Sequence, residues 1–219
     1  MLPPTTDGRP PVAEFAPLRP KPLDRGLMEV MLAEHTENAH LDVSLRVLHP
    51  AEFTIRADDL IDIYVAAMRY PPGSAAGRRN LWQEHSWRAG FGCIAAFGAD
   101  GLPLAFCYGY TGQDGQWWHN EVRRGLTHQA CAEWLDRYVE LTELHVRPDC
   151  QGRGLGEQVL RRFLDARSER RVLLSTPEGE NRAWRLYRRL GFQDVLRQHR
   201  FTGDPRPFGI LGRRLPIDS

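Results

Sequence analysis

The order of apolar and polar positions predicts a chain in which helices and strands alternate. From Asp58 to Tyr70 the apolar residues recur at steps of three and four, which is typical of a helix with one buried face. That face carries Leu60, Ile61, Tyr64, Val65 and Met68. A short strand over Leu45–Leu48 precedes this helix, and a second helix is expected from Ser74 or Ala75 to Trp87.

A β-hairpin is predicted after these helices. The apolar runs Cys93–Phe97 and Leu104–Tyr110 are joined by Ala99, Asp100 and Gly101, and an Asp-Gly step supplies the positive φ of a tight turn. A helical pattern then extends from Gln116 to Arg137, which predicts one long helix.

The second half of the chain alternates regularly between strands and helices. A strand over Val139–Val146 ends at Pro148 and leads through a glycine-rich turn into a helix. The elements predicted after that helix are a strand over Arg171–Thr176, a helix over Asn181–Leu190, and strands over Phe192–Phe201 and Phe208–Arg214. This order predicts an α/β fold with a central mixed, twisted β-sheet flanked by helices.

Length and composition fit one main domain. The chain has 219 residues, of which 42% are apolar and 26% charged, as in ordinary globular proteins. Residues 1–40 are rich in proline and predict an extended arm, with room for a short helix, ahead of a domain over residues 41–219. No apolar run approaches the ~20 residues that cross a bilayer, and the first residues lack a secretory pattern, so we expect a cytoplasmic protein without membrane contact.

Charge and metal-binding residue types narrow the function further. A net charge of +1 gives no general reason to expect nucleic-acid binding. The four cysteines form no CxxC pair and the eight histidines no HExxH pattern, so we expect reduced thiols and no metal site.

The most informative segment is the turn Gln151-Gly152-Arg153-Gly154-Leu155-Gly156, between a predicted strand and a predicted helix. Glycines allow successive N–H groups to converge there, and the start of a helix adds positive potential, so the turn predicts an anion site that fits a pyrophosphate. Two other nucleotide motifs are excluded, because Glu157 stands where GxGxxG needs its third glycine and no GKS or GKT follows.

Two motifs in the same order resemble the GNAT (GCN5-related N-acetyltransferase) superfamily. Its motif of Q or R, two residues, G, one residue, and G or A, after a strand ending in V-x-P, is matched by Val146, Pro148 and residues 151–156. Its A-x-x-L-Y-x-x-L-G-F helix is matched by Ala183, Leu186, Tyr187, Leu190, Gly191 and Phe192. The resemblance implies the GNAT fold and transfer of an acetyl group from acetyl-CoA to a primary amine, by direct attack in a ternary complex.

The resemblance also implies which residues bind the cofactor. The main chain of Leu144, His145 and Val146 would pair with the pantetheine arm. The turn would hold the pyrophosphate through Gln151, Gly152, Arg153, Gly154, Leu155, Gly156 and Glu157. Glu180 stands where the family often has a cofactor-binding Asn, so Asn181, one position later, has two candidate roles, a cofactor contact and a helix cap.

Three residues are candidates for the chemistry. By resemblance Tyr187 lies near the thioester sulfur, where a phenol can protonate the departing thiolate. Glu140 is the first candidate for the base that deprotonates the amine, and it is expected to share a strand face with Thr142, Leu144 and Val146. Glu143 is the second candidate, expected on the other face unless a bulge reverses that assignment.

The acceptor stays open in the sequence. A small-molecule amine and a peptide amine are both compatible with it, and a homodimer is one option for the assembly. Trp117, Trp118 and His119 are candidates either for the acceptor cleft or for packing. Two rival functions also stay open: an acyl-CoA-binding regulator without turnover, and transfer of a longer acyl group into a wider cleft near Phe106, Tyr108 and Tyr110.

Overall fold

The computed structural model describes residues 42–71, 73 and 75–216. The predicted arm over residues 1–40 lies outside the described residues. The described strands are β1 Ser44–Val47, β2 Gly92–Phe97, β3 Pro103–Thr111, β4 Tyr138–Val146, β5 Arg171–Pro177, β6 Gln193–His199 and β7 Phe208–Arg214. The described α-helices are α1 Pro50–Ile55, α2 Ala57–Met68, α3 Arg78–Ser86, α4 Trp117–Gly125, α5 His128–Trp134, α6 Leu155–Asp165 and α7 Arg182–Arg189.

The strands form one mixed sheet in the order β1-β2-β3-β4-β5-β7-β6. The β4–β5 pair is parallel, and the pairs on either side of it are antiparallel. The predicted class, a mixed sheet flanked by helices, is confirmed. None of the helices in the described part of the chain has the length and apolar character needed to span a membrane.

The sheet packs against helices on both faces. Phe106 and Tyr108 of β3 lie in a cluster with Phe53 of α1, Tyr64 of α2 and Trp82 of α3. The alternate side chain Cys107 points the other way, and its thiol donates to the carbonyl oxygen of Val159 in α6. In this part of the sheet, helices α1, α2 and α3 therefore cover one face and helix α6 covers the other.

Two predicted helices differ from the structure. The single helix expected from Gln116 to Arg137 is wrong, because the chain breaks at Leu126 and restarts when the hydroxyl of Thr127 accepts from the N–H of Ala130 at 3.2 Å. The helix α1 was not predicted. It begins at Pro50, which fits the first turn of a helix because that position needs no backbone donor.

A β-bulge in β4 changes which face its glutamates occupy. Tyr110 pairs with Glu140, but Tyr108 pairs with Glu143, so β4 contains one residue more than β3 between these pairs. The extra residue places Glu143 on the same face as Glu140. Leu144 and Val146 pair with Cys107 and Ala105, so they lie on the face opposite to Glu140, and that part of the expectation is wrong. The alternative, in which a bulge reverses the face of Glu143, is confirmed.

The central strands part soon after they meet. β4 pairs with β5 only through Tyr138, Val139 and Glu140, and the remainder of β5 pairs with β7 on its other side. The β4 residues 141–146 therefore face β5 across a gap, and the main-chain groups on that side of β4 have no partner strand there.

Gly109 allows the close approach at the bulge. A Cβ on Gly109 would lie 2.1 Å from the carbonyl oxygen of Glu140, a distance that forces the backbone to move. Gly109→Ala should therefore lower the free energy of unfolding by about 3 kcal/mol in chemical denaturation. Gly98→Ala is the control, because its closest contact is the movable carboxylate of Asp100. Equal small losses in both variants would contradict this account of the bulge.

Candidate active site

The gap between β4 and β5 is part of a cleft of about 1020 Å³. Its volume lies at the upper end of the ~300–1,000 Å³ range of small-molecule sites. One wall is formed by residues 141–146 of β4 and the other by residues 174–177 of β5. The glycine turn and α7 border one end, and α2 and the β6–β7 loop border the other. The cleft therefore brings together both motifs that the sequence singled out.

The glycine turn presents free N–H groups to this cleft. Gly152 and Gly154 have left-handed φ values of 84° and 80°, which other residues rarely adopt. The first helical hydrogen bond of α6 runs from the N–H of Gln158 to the oxygen of Gly154 at 3.1 Å. Among the described residues, no acceptor bonds to the N–H groups from Gly154 to Glu157. The start of α6 is therefore available to an anion.

The acidic residue at this end is neutralised. Arg189 and Arg161 both bond to the carboxylate of Glu157, at 2.7 and 2.9 Å, and hold the pKa of that carboxyl below its usual range. Arg182 and Arg185 also line the cleft. Arg182 donates to the side-chain oxygen of Gln151 at 3.1 Å, and Arg185 has no ion pair with any described residue. The electrostatic field near the turn therefore favours a polyanionic ligand.

Two predicted cofactor residues have observed structural roles. The amide nitrogen of Gln151 donates to the carbonyl oxygen of Val146 at 3.0 Å, which ties the turn to the end of β4. Asn181 caps α7, since its side-chain oxygen accepts from the N–H of Trp184 at 3.1 Å. Both residues also line the cleft. Arg153 is exposed and lies outside the cleft lining.

Tyr187 lies in the cleft wall between its two ends. The residue is only 6% exposed, and this burial, with smaller contributions from Cys107 and Glu143, raises the pKa of Tyr187 well above its usual value. Its hydroxyl bonds to no described residue, and it is not among the buried, unpartnered polar atoms that solvent cannot reach. Tyr187 is therefore a neutral phenol at physiological pH whose proton is reachable from the cleft.

Glu140 is buried and is not part of the cleft lining. Its side chain is sealed beside Tyr110, whose hydroxyl donates to Oε1 at 3.1 Å, while Oε2 has no partner among the described residues. Burial raises the pKa of Glu140 to about 8, although the Tyr110 bond and the nearby Arg88 act in the opposite direction. The carboxyl is therefore largely protonated at neutral pH.

Glu143, three positions later, lines the cleft. Its Oε2 lies 2.7 Å from Nε2 of His145, and its Oε1 lies 3.4 Å from Nη1 of Arg78. Nη2 of Arg78 donates to the hydroxyl of Tyr64 at 2.7 Å. The structure therefore brings Tyr187 and Glu143 to one cleft and separates Glu140 from it.

The end of the cleft away from the glycine turn has aromatic walls. They consist of Tyr64, Tyr70, Trp117, Phe201 and Phe208, with Trp118 nearby. Trp117 stacks on Phe201 at a centroid distance of 5.4 Å. His119, the third residue of the candidate group, instead bonds to Tyr138 and lies outside the lining. The sequence did not predict that Tyr64, Tyr70 and the β6–β7 loop line the cleft, because no local pattern links positions so far apart in sequence.

Comparison with known proteins establishes the family. The model of the Acetyltransferase (GNAT) domain matches residues 113–194. The GCN5-like protein acetyltransferase Rv2170 of Mycobacterium tuberculosis (strain ATCC 25618 / H37Rv) is 47% identical over 199 residues, which cover 78% of this chain and 97% of that protein. The chain belongs to the GNAT family and is an acetyltransferase, as the two motifs predicted. Acetyltransferases of this family use acyl-CoA donors.

Solved structures support the same fold. A GNAT-family acetyltransferase from Bacillus cereus ATCC 10987 superposes with a TM-score of 0.54 at 14% identity, covering 80% of this chain and 98% of that one. The NatC complex bound to Gag peptide and CoA gives a TM-score of 0.53 at 15% identity, covering 80% of this chain and all of the matched chain. At these identities the likeness shows the fold alone.

The buried carboxyl of Glu140 makes stability depend on pH. In the unfolded chain its pKa is about 4.3, so between that value and about 8 the folded state keeps a proton that the unfolded state has lost. Stability contributed by this group therefore falls as pH rises through the window, by about 1.4 kcal/mol per unit at most.

Glu140→Gln should remove this loss, because a Gln oxygen can still accept the Tyr110 bond. Urea unfolding at pH 5 and pH 9 should show the variant gaining a few kcal/mol over the native chain at the higher pH. Glu84→Gln, on the exposed side of α3, controls for the change in net charge. If the difference in free energy of unfolding between the Glu140 variant and the native chain stays constant with pH, Glu140 is not the buried group that makes stability depend on pH.

Proposed function

We propose that this protein transfers the acetyl group of acetyl-CoA to a primary amine of a protein or peptide, by direct attack in a ternary complex. One observation carries the proposal. Free N–H groups at the start of α6, the unpaired side of β4 and the hydroxyl of Tyr187 all open on the same cleft. A cytoplasmic location and a homodimer stay predictions from the sequence.

The donor end of the cleft has the features that CoA requires. The N–H groups from Gly154 to Glu157 would receive the pyrophosphate, which suits the start of a helix. Leu144, His145 and Val146 would pair through their main chain with the amide groups of the pantetheine arm. Arg185, which lines the cleft without an ion pair to any described residue, offers a cation to the remaining phosphate.

The transfer step needs an acid and a proton acceptor near the thioester. Burial keeps Tyr187 protonated, so its hydroxyl can donate to the thiolate sulfur as the C–S bond breaks. Of the two candidate carboxylates, Glu143 lines the cleft, whereas Glu140 is buried and outside its lining. We therefore expect the group that accepts the amine proton to lie on the same side of the cleft as Glu143.

The protein or peptide acceptor is proposed from the 47% identical relative, whose name is a protein acetyltransferase. The two rival functions have less support. Transfer of a longer acyl group would require a wider cleft near Phe106, Tyr108 and Tyr110. These side chains are at most 1% exposed and lie outside the cleft lining. A regulator without turnover would have no need for a reachable, buried phenol beside the donor site.

Gly154→Val should weaken CoA binding by tenfold or more in titration calorimetry, because a branched residue cannot hold φ near 80° and the N–H groups at the start of α6 would turn away. Gly101→Val is the matched control. It has a similar φ of 74°, lies in the β2–β3 turn outside the cleft lining, and has open space around it. Loss of affinity in both variants, or in neither, would count against a phosphate site at the turn.

Tyr187→Phe should lower kcat by about 100-fold and leave the CoA dissociation constant unchanged, because the thiolate loses its proton donor. The assay uses acetyl-CoA with a peptide that has a free N-terminus, a blocked peptide with one internal lysine, and a small polyamine. Tyr138→Phe removes a buried hydroxyl away from the cleft and is the control. If the native enzyme acetylates none of these amines, the proposed function fails; native turnover in Tyr187→Phe would remove only the acid role.

A further inference from the structure

The side chain of His145 has a place in the cleft that its proposed main-chain role does not explain. His145 lies at the open end of β4, on the face that the bulge gives to Glu143. Its ring nitrogen Nε2 is 2.7 Å from Oε2 of Glu143, and the two side chains are 11% and 12% exposed. Both residues line the cleft that also contains the hydroxyl of Tyr187.

We propose that the imidazole of His145, oriented by Glu143, is the group that removes the proton from the acceptor amine. This inference rests on the proposed function, and it names the proton acceptor of that same site. His145 is the catalytic residue in this assignment. Glu143 is a positioning residue, which acts on the amine through the imidazole.

The hydrogen bonds leave one nitrogen of His145 free to accept a proton. Because a carboxylate can only accept, the Nε2 of the neutral ring carries the hydrogen that bonds to Glu143. The lone pair is then on Nδ1. Nδ1 has no partner among the described residues, and it is not one of the buried polar atoms sealed from solvent. A proton donor that enters the cleft can therefore reach it.

Groups on three neighbouring elements hold the pair in place. Arg78 of α3 forms an ion pair with the other oxygen of Glu143, at 3.4 Å, and stacks over the ring of Tyr64. Tyr64 of α2 meets the imidazole edge to face at a centroid distance of 5.1 Å, and Phe106 of β3 lies 5.7 Å away. These contacts fix the ring plane while its free nitrogen stays open. Among the described residues, the charged groups that pair with His145 directly or through its partner are Glu143 and Arg78.

The proton balance of the reaction closes with this assignment. The acceptor enters as an ammonium ion and gives one proton to Nδ1 of His145, which makes an imidazolium beside the Glu143 carboxylate. The amine nitrogen then bonds to the thioester carbon, and the C–S bond breaks as Tyr187 gives its proton to sulfur. The nitrogen loses its second proton to the tyrosinate, and the imidazolium releases the first to solvent. The products are an amide, a thiol and one proton.

Glu140, the other carboxyl on this face, is unsuited to the same task. Its Oε1 is bonded to Tyr110, and its Oε2 is sealed from solvent. An amine in the cleft could reach it only by displacing packed side chains. The bulge therefore separates a sealed acid from an open histidine–carboxylate pair on the same strand face.

The test compares His145→Ala, His145→Gln and Glu143→Gln, with acetyl-CoA and the best amine of the peptide and polyamine panel. Both His145 variants should lower kcat by about 100-fold, with CoA affinity within twofold of the native value, because only a proton transfer is removed. Glu143→Gln should lower kcat by about tenfold. Added imidazole should restore part of the turnover of His145→Ala, which an effect on folding would not allow.

The pH profile of kcat gives an independent readout. Its acidic limb should disappear in His145→Gln, because the imidazole that accepts the amine proton is gone. His49→Ala is the control, since this exposed histidine makes no side-chain cap bond at the start of α1. Native kcat in the His145 variants, or an unchanged acidic limb, would overturn the inference while leaving the proposed function intact. Failure of the native enzyme on every amine would overturn both.

Discussion

The site depends on the parting of the two central parallel strands after three residue pairs. Beyond Glu140 and Leu173, β5 stays bonded to β7, and β4 stays bonded to β3. Backbone groups inside a protein are costly when they have no partner, so the inner side of β4 stores unmet hydrogen-bonding capacity in the middle of the sheet. An extended ligand with regularly spaced amides can satisfy those groups, as a third strand would. The cleft is therefore specific for the shape and polarity of its ligand before any side chain contributes.

The bulge next to this opening gives two glutamates of one strand opposite environments. Glu140 accepts a hydrogen bond from Tyr110 and is 4% exposed, whereas Glu143 borders the cleft with His145 and Arg78. Environment decides what a carboxyl can do: a sealed one keeps its proton, and an ion-paired one stays available to orient another base. The extra residue at Thr142 thus determines which side chains can meet an amine.

Local sequence signals predicted the glycine-turn end of the cleft much better than its aromatic end. The glycine turn, the Asn181 cap and the Tyr187 helix each depend on neighbouring residues, so short motifs were sufficient. The face of Glu143 depends on Gly109, more than thirty positions away, whose missing Cβ admits the Glu140 carbonyl. The aromatic walls join α2, α4 and the β6–β7 loop, and their proximity follows only from the sheet order. The break before Thr127 had a local signal, a threonine cap, that helical periodicity obscured.

Charge is distributed unequally along the cleft, and this bears on the proposed need for a proton acceptor in its wall. At the end bordered by the glycine turn, Arg182, Arg185 and the start of α6 leave a positive field, because Glu157 is already neutralised. At the other end Glu143 pairs with Arg78 and Asp204 with Arg206, so little net charge is left to attract an acceptor. Aromatic faces attract cations, so for the proposed amine acceptor these walls would favour the ammonium form over the neutral amine. If the acceptor is an amine, as proposed, its ammonium form cannot attack until it loses a proton, so the proposed reaction needs a proton acceptor in the wall of the cleft.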